Sequence, residues 1–535
     1  MNYAKHITTT QREPLPGQIE NSAGGFTFPV DDWTQLDRFL ILGTEGGSYY
    51  ATERKLTKDA AAAVQRCIAA DGRRAVARIV EISDAGRAPK NDPALFALAL
   101  AAKLGDVDTR RAAFAALPRV ARIGTHLFHF AEYVKALGGW GRATTRAFAR
   151  WYTETPTFRL AEQAIKYQQR DGWSHRDLLR KAHPKTTDEA RNGIFNWMVK
   201  GWPSVGADPH PDRVLAKIWA FEKAKTARGA QLMDLIEEYG LPHECVPNEA
   251  KSDPAIWAAM LPHMGMTALI RNLGKMTAVG LIKPMSSAAR LIAERLTDVE
   301  ALKGARVHPL QILVALNIYG RGRGDKGSLT WSPVQSIVDA LDAAFYLAFK
   351  AVEPTGKRTM LALDISGSMN GPEIAGMPGI TPRVGSAAMA LVTANVEREH
   401  VFTGFTSGTG FASNTPGISQ LSISPRQRLD EVVRYTSGLA MGGTDCALPM
   451  LWAAHYKIAV DTFVIYTDSE TWAGNVQPVD ALRSYRQKMG IGAKLVVVAM
   501  VSNGFTLADP RDGGMMDCCG FSTDTPSVIA DFSRG

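Results

Sequence analysis

The sequence predicts a multidomain chain in which an all-α, HEAT-like array of short helices is followed by a doubly wound α/β domain. Three observations predict it. The 535 residues exceed the size at which a single hydrophobic core stops growing. From about Thr57 to Lys350, Ala- and Leu-rich amphipathic patterns follow one another across Gly, Pro or Asp-Gly breaks, with almost no strand-like runs. After Glu353-Pro354-Thr355-Gly356, β-type apolar runs alternate with helical segments. These patterns divide the chain into residues 1–354 and 355–535.

In the first part, DAAAAVQRCIAADG, GRRAVARIVEISDAG, DPALFALALAAKLG, DTRRAAFAALPRV and THLFHFAEYVKALGG are each near one helix long. Serial short helices suggest an α-solenoid. The HEAT-like label rests on helix length and order, because the repeat is too degenerate to match a motif. In the second part TMLALDIS, HVFTGF, DTFVIYTDSE and AKLVVVAMV read as strands. Near-continuous apolar strands separated by helices imply a parallel sheet covered on both faces.

Charge is distributed unevenly. Residues 1–350 hold 47 Lys+Arg and 36 Asp+Glu, net +11; the remaining 14 basic and 17 acidic residues make 351–535 net −3. The helical part is therefore the candidate polyanion binder. Five scattered cysteines, Cys67, Cys245, Cys446, Cys518 and Cys519, form neither a CxxC pair nor a disulfide framework, which favours a reducing compartment. The N-terminal MNYAKHITTTQREPLPGQ lacks an apolar signal region, and no stretch approaches the ~18–20 apolar residues of a membrane span. The expectation is a soluble, cytoplasmic protein without a membrane partner, acting as a monomer.

The strongest motif is Asp364-Ile-Ser366-Gly-Ser368, at the C-terminal end of the first predicted strand of the second domain. Open α/β sheets bind ligands there. Gly442-Gly443-Thr444-Asp445, at a helix start, and Tyr466-Thr467-Asp468, at the end of another strand, converge on the same edge. Two carboxylates and three hydroxyls form an oxygen-only, nearly charge-neutralising set that suits magnesium. Alone, a DxSxS also fits an ordinary strand-to-helix turn with capping serines. The ordered set resembles the metal-ion-dependent adhesion site (MIDAS) of von Willebrand A domains, complete at Asp364, Ser366, Ser368, Thr444 and Asp468. The resemblance implies that the hydroxyls touch the ion, that the aspartates act largely through water, and that a position remains for a partner's carboxylate.

Within the basic part, one segment concentrates cations: KYQQRDGWSHRDLLRKAHPK, residues 166–185. The spacing predicts that Lys166 and Arg170 share a helix face as an i,i+4 pair and that Asp171-Gly172 turns the chain. Ser174 and Asp177 then make a capping box for a helix ended by Pro184. On that helix Arg176, Arg180 and His183 form one stripe opposite Leu178, Leu179 and Ala182. Such a stripe can hold phosphates, and from spacing alone it can equally be a solvated face, with His183 a surface histidine favoured by the helix dipole.

This segment resembles the signature of the Ro autoantigen, or TROVE-module, proteins, and the resemblance implies a bacterial Ro orthologue. Gly43-Thr-Glu45-Gly-Gly-Ser-Tyr-Tyr, Thr267-Ala-Leu-Ile-Arg271-Asn272-Leu-Gly274-Lys275-Met276 and Arg306-Val-His308-Pro309-Leu also resemble that signature. The similarity covers essentially the whole chain. It implies a closed ring of helical repeats that binds small non-coding Y RNA on its outer basic surface. It further implies that single-stranded 3′ ends of misfolded or processed RNAs enter a central hole, that the von Willebrand A domain closes the ring, and, for bacterial members, an exoribonuclease partner. The family's Y RNA contacts map by motif onto Lys166, Arg170 and His183; Arg176 and Arg180 are added from the stripe, and Arg271, Lys275 and His308 are assigned to the hole.

Other chemistries fit less well. A two-metal nuclease needs several bridging carboxylates, whereas hydroxyls dominate here. Gly320-Arg-Gly-Arg-Gly-Asp-Lys-Gly-Ser328 lacks the Gly-Lys-Ser/Thr order of a P-loop. No catalytic residue is assigned. The alternative is a metal-dependent adhesion or chelatase-like protein-binding module without an RNA role, which the charge of the helical part argues against.

Overall fold

The computed structural model describes residues 10–44, 53–201, 208–324, 327–349, 353–371, 373–408, 416–439 and 442–534. Residues 45–50 of the N-terminal glycine-tyrosine motif, and Asp325 and Lys326 of the glycine-rich loop, lie outside the described residues.

Short helices fill the chain from Asp32 to Leu347. Their starts are set by side-chain caps: Asp31, Asp106, Asp188, Asp212, Ser286 and Asp298 each accept a hydrogen bond from a backbone N–H of the first helical turn. The Asp-Gly break between the first two helical patterns is a kink within Glu53–Asp84. There Asp71 leaves helical geometry (φ −157°, ψ 88°) and caps Arg74 N at 2.9 Å. Gly72 is required beside it, since a Cβ would lie 2.1 Å from Thr109 Oγ1 on the neighbouring helix.

The helical array closes on itself. The turn after the first helices meets the helix Pro309–Gly320: Gln311 Nε2 donates to Pro89 O (2.8 Å) and His308 Nε2 to Arg87 O (3.2 Å). One local prediction fails. Two short strands, β1 (Ile19–Glu20) and β2 (Phe26–Pro29), lie in the N-terminal segment, and β3 (Gln169–Arg170) and β4 (Trp173–Ser174) form an antiparallel hairpin. The second hairpin replaces the expected helical pair: the helix Thr157–Lys166 ends at Lys166, so Lys166 and Arg170 do not share a helix face.

The α/β domain holds a six-stranded sheet. Its parallel core is β5 (Thr359–Asp364), β6 (His400–Phe405), β8 (Thr462–Thr467), β9 (Lys494–Ala499) and β11 (Met515–Cys519), with β7 (Ile418–Gln420) antiparallel at one edge. The order is β11-β9-β8-β5-β6-β7. The four strands expected from apolar runs are β5, β6, β8 and β9, and β5 and β8 are buried along their whole length. The short β7 and the mixed sequence MMDCC of β11 carry no such run.

The N-terminal segment, grouped by sequence with the helical part, is tied instead to the α/β domain. Strand β2 pairs with β10 (Phe505–Thr506), a sheet edge being what satisfies its backbone. Gln11 donates to Asp445 Oδ1 (2.7 Å), and the buried Arg38 guanidinium reaches Asn503 O, Phe505 O and Asp517. The same domain sits over the joint of the helical array: Arg87 binds Ser522 Oγ at 2.9 Å, and Leu429 N donates to Asp342 Oδ1 at 3.0 Å. All five cysteines are free thiols. Among the described residues no helix is long and apolar enough to cross a membrane.

Candidate nucleic-acid interface and metal centre

The basic segment becomes a hairpin followed by a capped helix. Asp171 and Gly172 both take positive φ (51° and 75°), the two-residue turn that an Asp-Gly pair favours between strands. That dipeptide was the signal for the hairpin. Ser174 Oγ accepts from Asp177 N, and Asp177 Oδ2 accepts from Ser174 N (3.0 Å), completing the expected capping box for His175–Ala182. His183 ends the helix in left-handed geometry (φ 45°).

Burial separates the two faces as the spacing predicts. Leu178, Leu179 and Ala182 are buried, while Arg176, Arg180 and His183 are exposed. Among the described residues none of these three makes an ion pair. Lys181, outside the predicted stripe, lies over the Trp140 and Trp173 rings, 5.5 and 6.0 Å from their centroids. Arg170 is exposed (62%), with Asp171 3.8 Å away. Lys166 differs: only 24% of its side chain is exposed, and it pairs with Glu244 at 3.3 Å. Its ammonium is held above the usual lysine range, burial being outweighed by Tyr167 and Glu244. A helix terminus facing a distant carboxylate is not visible in a local pattern.

The three residues assigned to the hole separate. Arg271 and Lys275, on the helix Met266–Ala278, line a cavity of about 490 Å³ shared with the helix Pro309–Gly320 and Trp331. His308 does not join them; it is 1% exposed. Its Nδ1 accepts from Leu310 N (3.1 Å), capping its helix. Its Nε2–H donates to Phe521 O (2.7 Å) in the α/β domain as well as to Arg87 O. Burial pushes its pKa down to about 4. His308 is thus a neutral joint between domains, with no face toward RNA.

The metal motif assembles at the C-terminal ends of the adjacent strands β5 and β8. Asp364 closes β5, and its Oδ1 accepts from Ser366 N (2.9 Å). Ser366 and Ser368 hydroxyls lie 3.1 Å apart. Thr467, the last residue of β8, donates to Asp364 Oδ2 at 2.7 Å, placing Asp468 beside it. The Gly-Gly-Thr loop is drawn in by Gly367 N to Gly442 O (3.1 Å) and by Trp472 N to Thr444 O (3.1 Å). All five predicted ligands are thereby gathered, each 5% exposed or less.

Their chemistry fits a divalent cation. Among the described residues the buried Thr444 hydroxyl has no hydrogen-bond partner. Burial, then Asp364 and Glu470, push the Asp468 carboxyl well above the usual range; burial likewise raises Asp364, against bonds from Ser366 and Thr467. Like charges held together in a dry site require a compensating charge. Arg383 supplies part of it: it is buried behind the site, with its guanidinium on Ile365 O and Ser366 O. Thr467 and Arg383 were missed by the sequence reading; the former adjoins a predicted ligand, while nothing local marks the latter.

Comparison with known proteins agrees with this architecture. The TROVE domain model matches residues 19–208 and 241–318, and the Ro60 vWA domain model residues 358–533. The chain is 44% identical over 520 residues to the RNA-binding protein RO60 of Deinococcus radiodurans, covering 97% of this chain and 96% of that one. It is 34% identical to the RNA-binding protein RO60 of Caenorhabditis elegans, covering 99% and 92%. The crystal structure of the D. radiodurans RO (RSR) protein superposes with a TM-score of 0.68 at 42% identity, covering 94% of this chain and all of that one. On its sequence, its two domains and their arrangement, the chain belongs to the Ro family.

Proposed function

We propose that this protein binds RNA, holding a structured small non-coding RNA of the Y type on the exposed surface around Arg170, Arg176, Arg180 and His183. The observation that carries this reading is the cationic stripe of the helix His175–Ala182, whose arginines have no acidic partner among the described residues while the opposite face is packed. Unneutralised guanidiniums on a rigid helix are set to displace counterions from a phosphate backbone. Single-stranded 3′ ends of misfolded or processed RNAs are the second class of ligand, received inside the closed helical array. The protein acts in RNA quality control, processing or decay as a non-enzymatic cytoplasmic monomer that presents RNA to an exoribonuclease.

Asp364, Ser366, Ser368, Thr444 and Asp468 would hold magnesium in the von Willebrand A domain. When bound, the ion supplies a coordination position for a carboxylate of a protein ligand. The chain's own residues bind and orient it: Thr467 fixes Asp364, Arg383 holds the backbone of the serine turn, and the sheet excludes bulk water.

The test is a gel-shift titration with a structured small RNA across salt concentrations. Steeply salt-dependent binding is expected, together with preference for an RNA bearing a free 3′ tail over its blunt form. Weak binding, insensitive to salt and unaltered in an Arg176→Ala/Arg180→Ala variant, would leave the metal-dependent protein-binding module as the reading.

A further inference from the structure

We propose that the N-terminal segment is a latch on the metal site: Gln11 and Asn21 are positioning residues for the loops that carry Thr444 and Asp468, so that magnesium binding and docking of this segment reinforce each other. The inference deepens the metal-site reading and rests on it.

Gln11 is fully buried, and its amide uses all the hydrogen bonds it can make. Nε2 donates to Asp445 Oδ1 (2.7 Å) and Val476 O (2.8 Å), while Oε1 accepts from Thr471 Oγ1 (2.6 Å) and Gly474 N (3.1 Å). Asp445 follows the ligand Thr444, and Thr471 stands in the loop that leaves the ligand Asp468. One side chain thus pins both ligand-bearing loops. It does so where they meet each other, since Ala473 N donates to Thr444 O (3.0 Å) and Cys446 N to Thr471 Oγ1 (3.1 Å). Losing the amide would take from the buried Asp445 carboxylate a donor that water cannot replace.

Asn21 makes a second attachment to the same loop. Its Oδ1 accepts from Ala23 N and Gly25 N, both at 3.0 Å, which fixes the turn, and its Nδ2 donates to Thr471 O at 2.8 Å. Beside it Ser22 N donates to Glu470 Oε2 at 2.8 Å. Two glycines give the room for this approach. A Cβ on Gly474 would stand 2.2 Å from Gln11 Nε2, and one on Gly25 2.0 Å from Thr471 O.

The segment runs through β2 into the helix Asp32–Leu42, and that helix grips the site by a third route. Arg38 donates to Asn503 O (2.9 Å) and Oδ1 (3.1 Å), and Asn503 Nδ2 donates to the backbone O of Asp468 (2.7 Å). The metal needs Thr444 and Asp468 brought together with the serine turn, and the latch holds that same arrangement. Two events that favour one arrangement of the same loops strengthen each other by equal factors. The start of the helical array is thereby coupled to occupancy of the metal site.

The test is hydrogen exchange of the full chain, read by mass spectrometry in magnesium chloride and in chelator, together with calorimetric titration of magnesium. Magnesium should slow exchange about tenfold in peptides covering residues 10–25 and leave the helix His175–Ala182 unchanged. In Asp364→Ala the difference should vanish. Gln11→Ala should bind magnesium about tenfold more weakly than the wild type; if that variant does not fold, the exchange of the wild type decides alone. Exchange in residues 10–25 that ignores magnesium, or a Gln11→Ala protein that is less stable yet binds magnesium as tightly, overturns the inference while the metal-site reading stands. Failure of the wild type to take up magnesium overturns both.

Discussion

Replacing His308 by Ala should destabilise the joint between domains without touching RNA binding. The imidazole makes three contacts, as the N-cap acceptor for Leu310 N and as donor to Phe521 O and Arg87 O. Losing an N-cap costs about 1 kcal/mol. Leaving the buried Phe521 carbonyl without its donor costs about 1–3 kcal/mol, and the void left by the ring about 1 kcal/mol more, so the loss should be about 3–5 kcal/mol. The assay is urea unfolding followed by tryptophan fluorescence, read at the earliest transition. The pH profile tests the same contact. The folded pKa is about 4 against 6.5 for an unperturbed histidine, so the unfolded chain takes up the proton first. The stability contributed by neutral His308 is complete above pH ~6.5 and is lost as pH falls toward 4, by about 3 kcal/mol in all. Because His175 and His126 are also lowered by burial, the informative quantity is wild type minus variant, which should shrink across that window. A variant within about 0.5 kcal/mol of wild type, or one that keeps its stability and loses RNA affinity, would refute the assignment of His308 to the joint.

Arg176→Ala/Arg180→Ala should weaken structured-RNA binding at least about tenfold and lower the salt slope by about two units, with unchanged melting because both side chains are exposed; a gel-shift series at several salt concentrations decides it. Lys166→Ala should cost about 1 kcal/mol of stability through loss of its half-buried pair with Glu244, and its effect on the salt slope should be smaller than that of Arg170→Ala. Asp468→Asn should raise the melting temperature in chelator, since it removes one of two carboxylates facing each other in a dry site, and should abolish the further rise that magnesium gives the wild type; equal magnesium shifts in both proteins in a thermal scan would disprove the ligand role. Gly172→Val should destabilise by about 1 kcal/mol or more in urea, because its φ of 75° is unfavourable for a β-branched residue.

What the sequence determined by itself are the features encoded within a few residues. Apolar runs marked β5, β6, β8 and β9 because a strand buried on both faces needs no alternation. The ladder of a parallel sheet then carries Asp364 and Asp468 to one edge without further information. Ser174 and Asp177 announced their helix, and the spacing of Arg176 and Arg180 fixed their exposure, since helix periodicity alone puts them opposite Leu178 and Leu179. The Asp171-Gly172 hairpin was equally local, and it was masked by the helical pattern running into it from Thr157. Only the tertiary structure decided the rest. The partners of His308 stand 213 and 221 residues away, Lys166 finds Glu244 on a later turn, Gln11 reaches Asp445, and Arg383 slides behind the metal loop. A motif specifies the backbone hydrogen bonds of its own segment. Whether a histidine or lysine within it ends in water or in a core depends on which distant surface closes over it, and that follows from the packing of the closed array against the sheet.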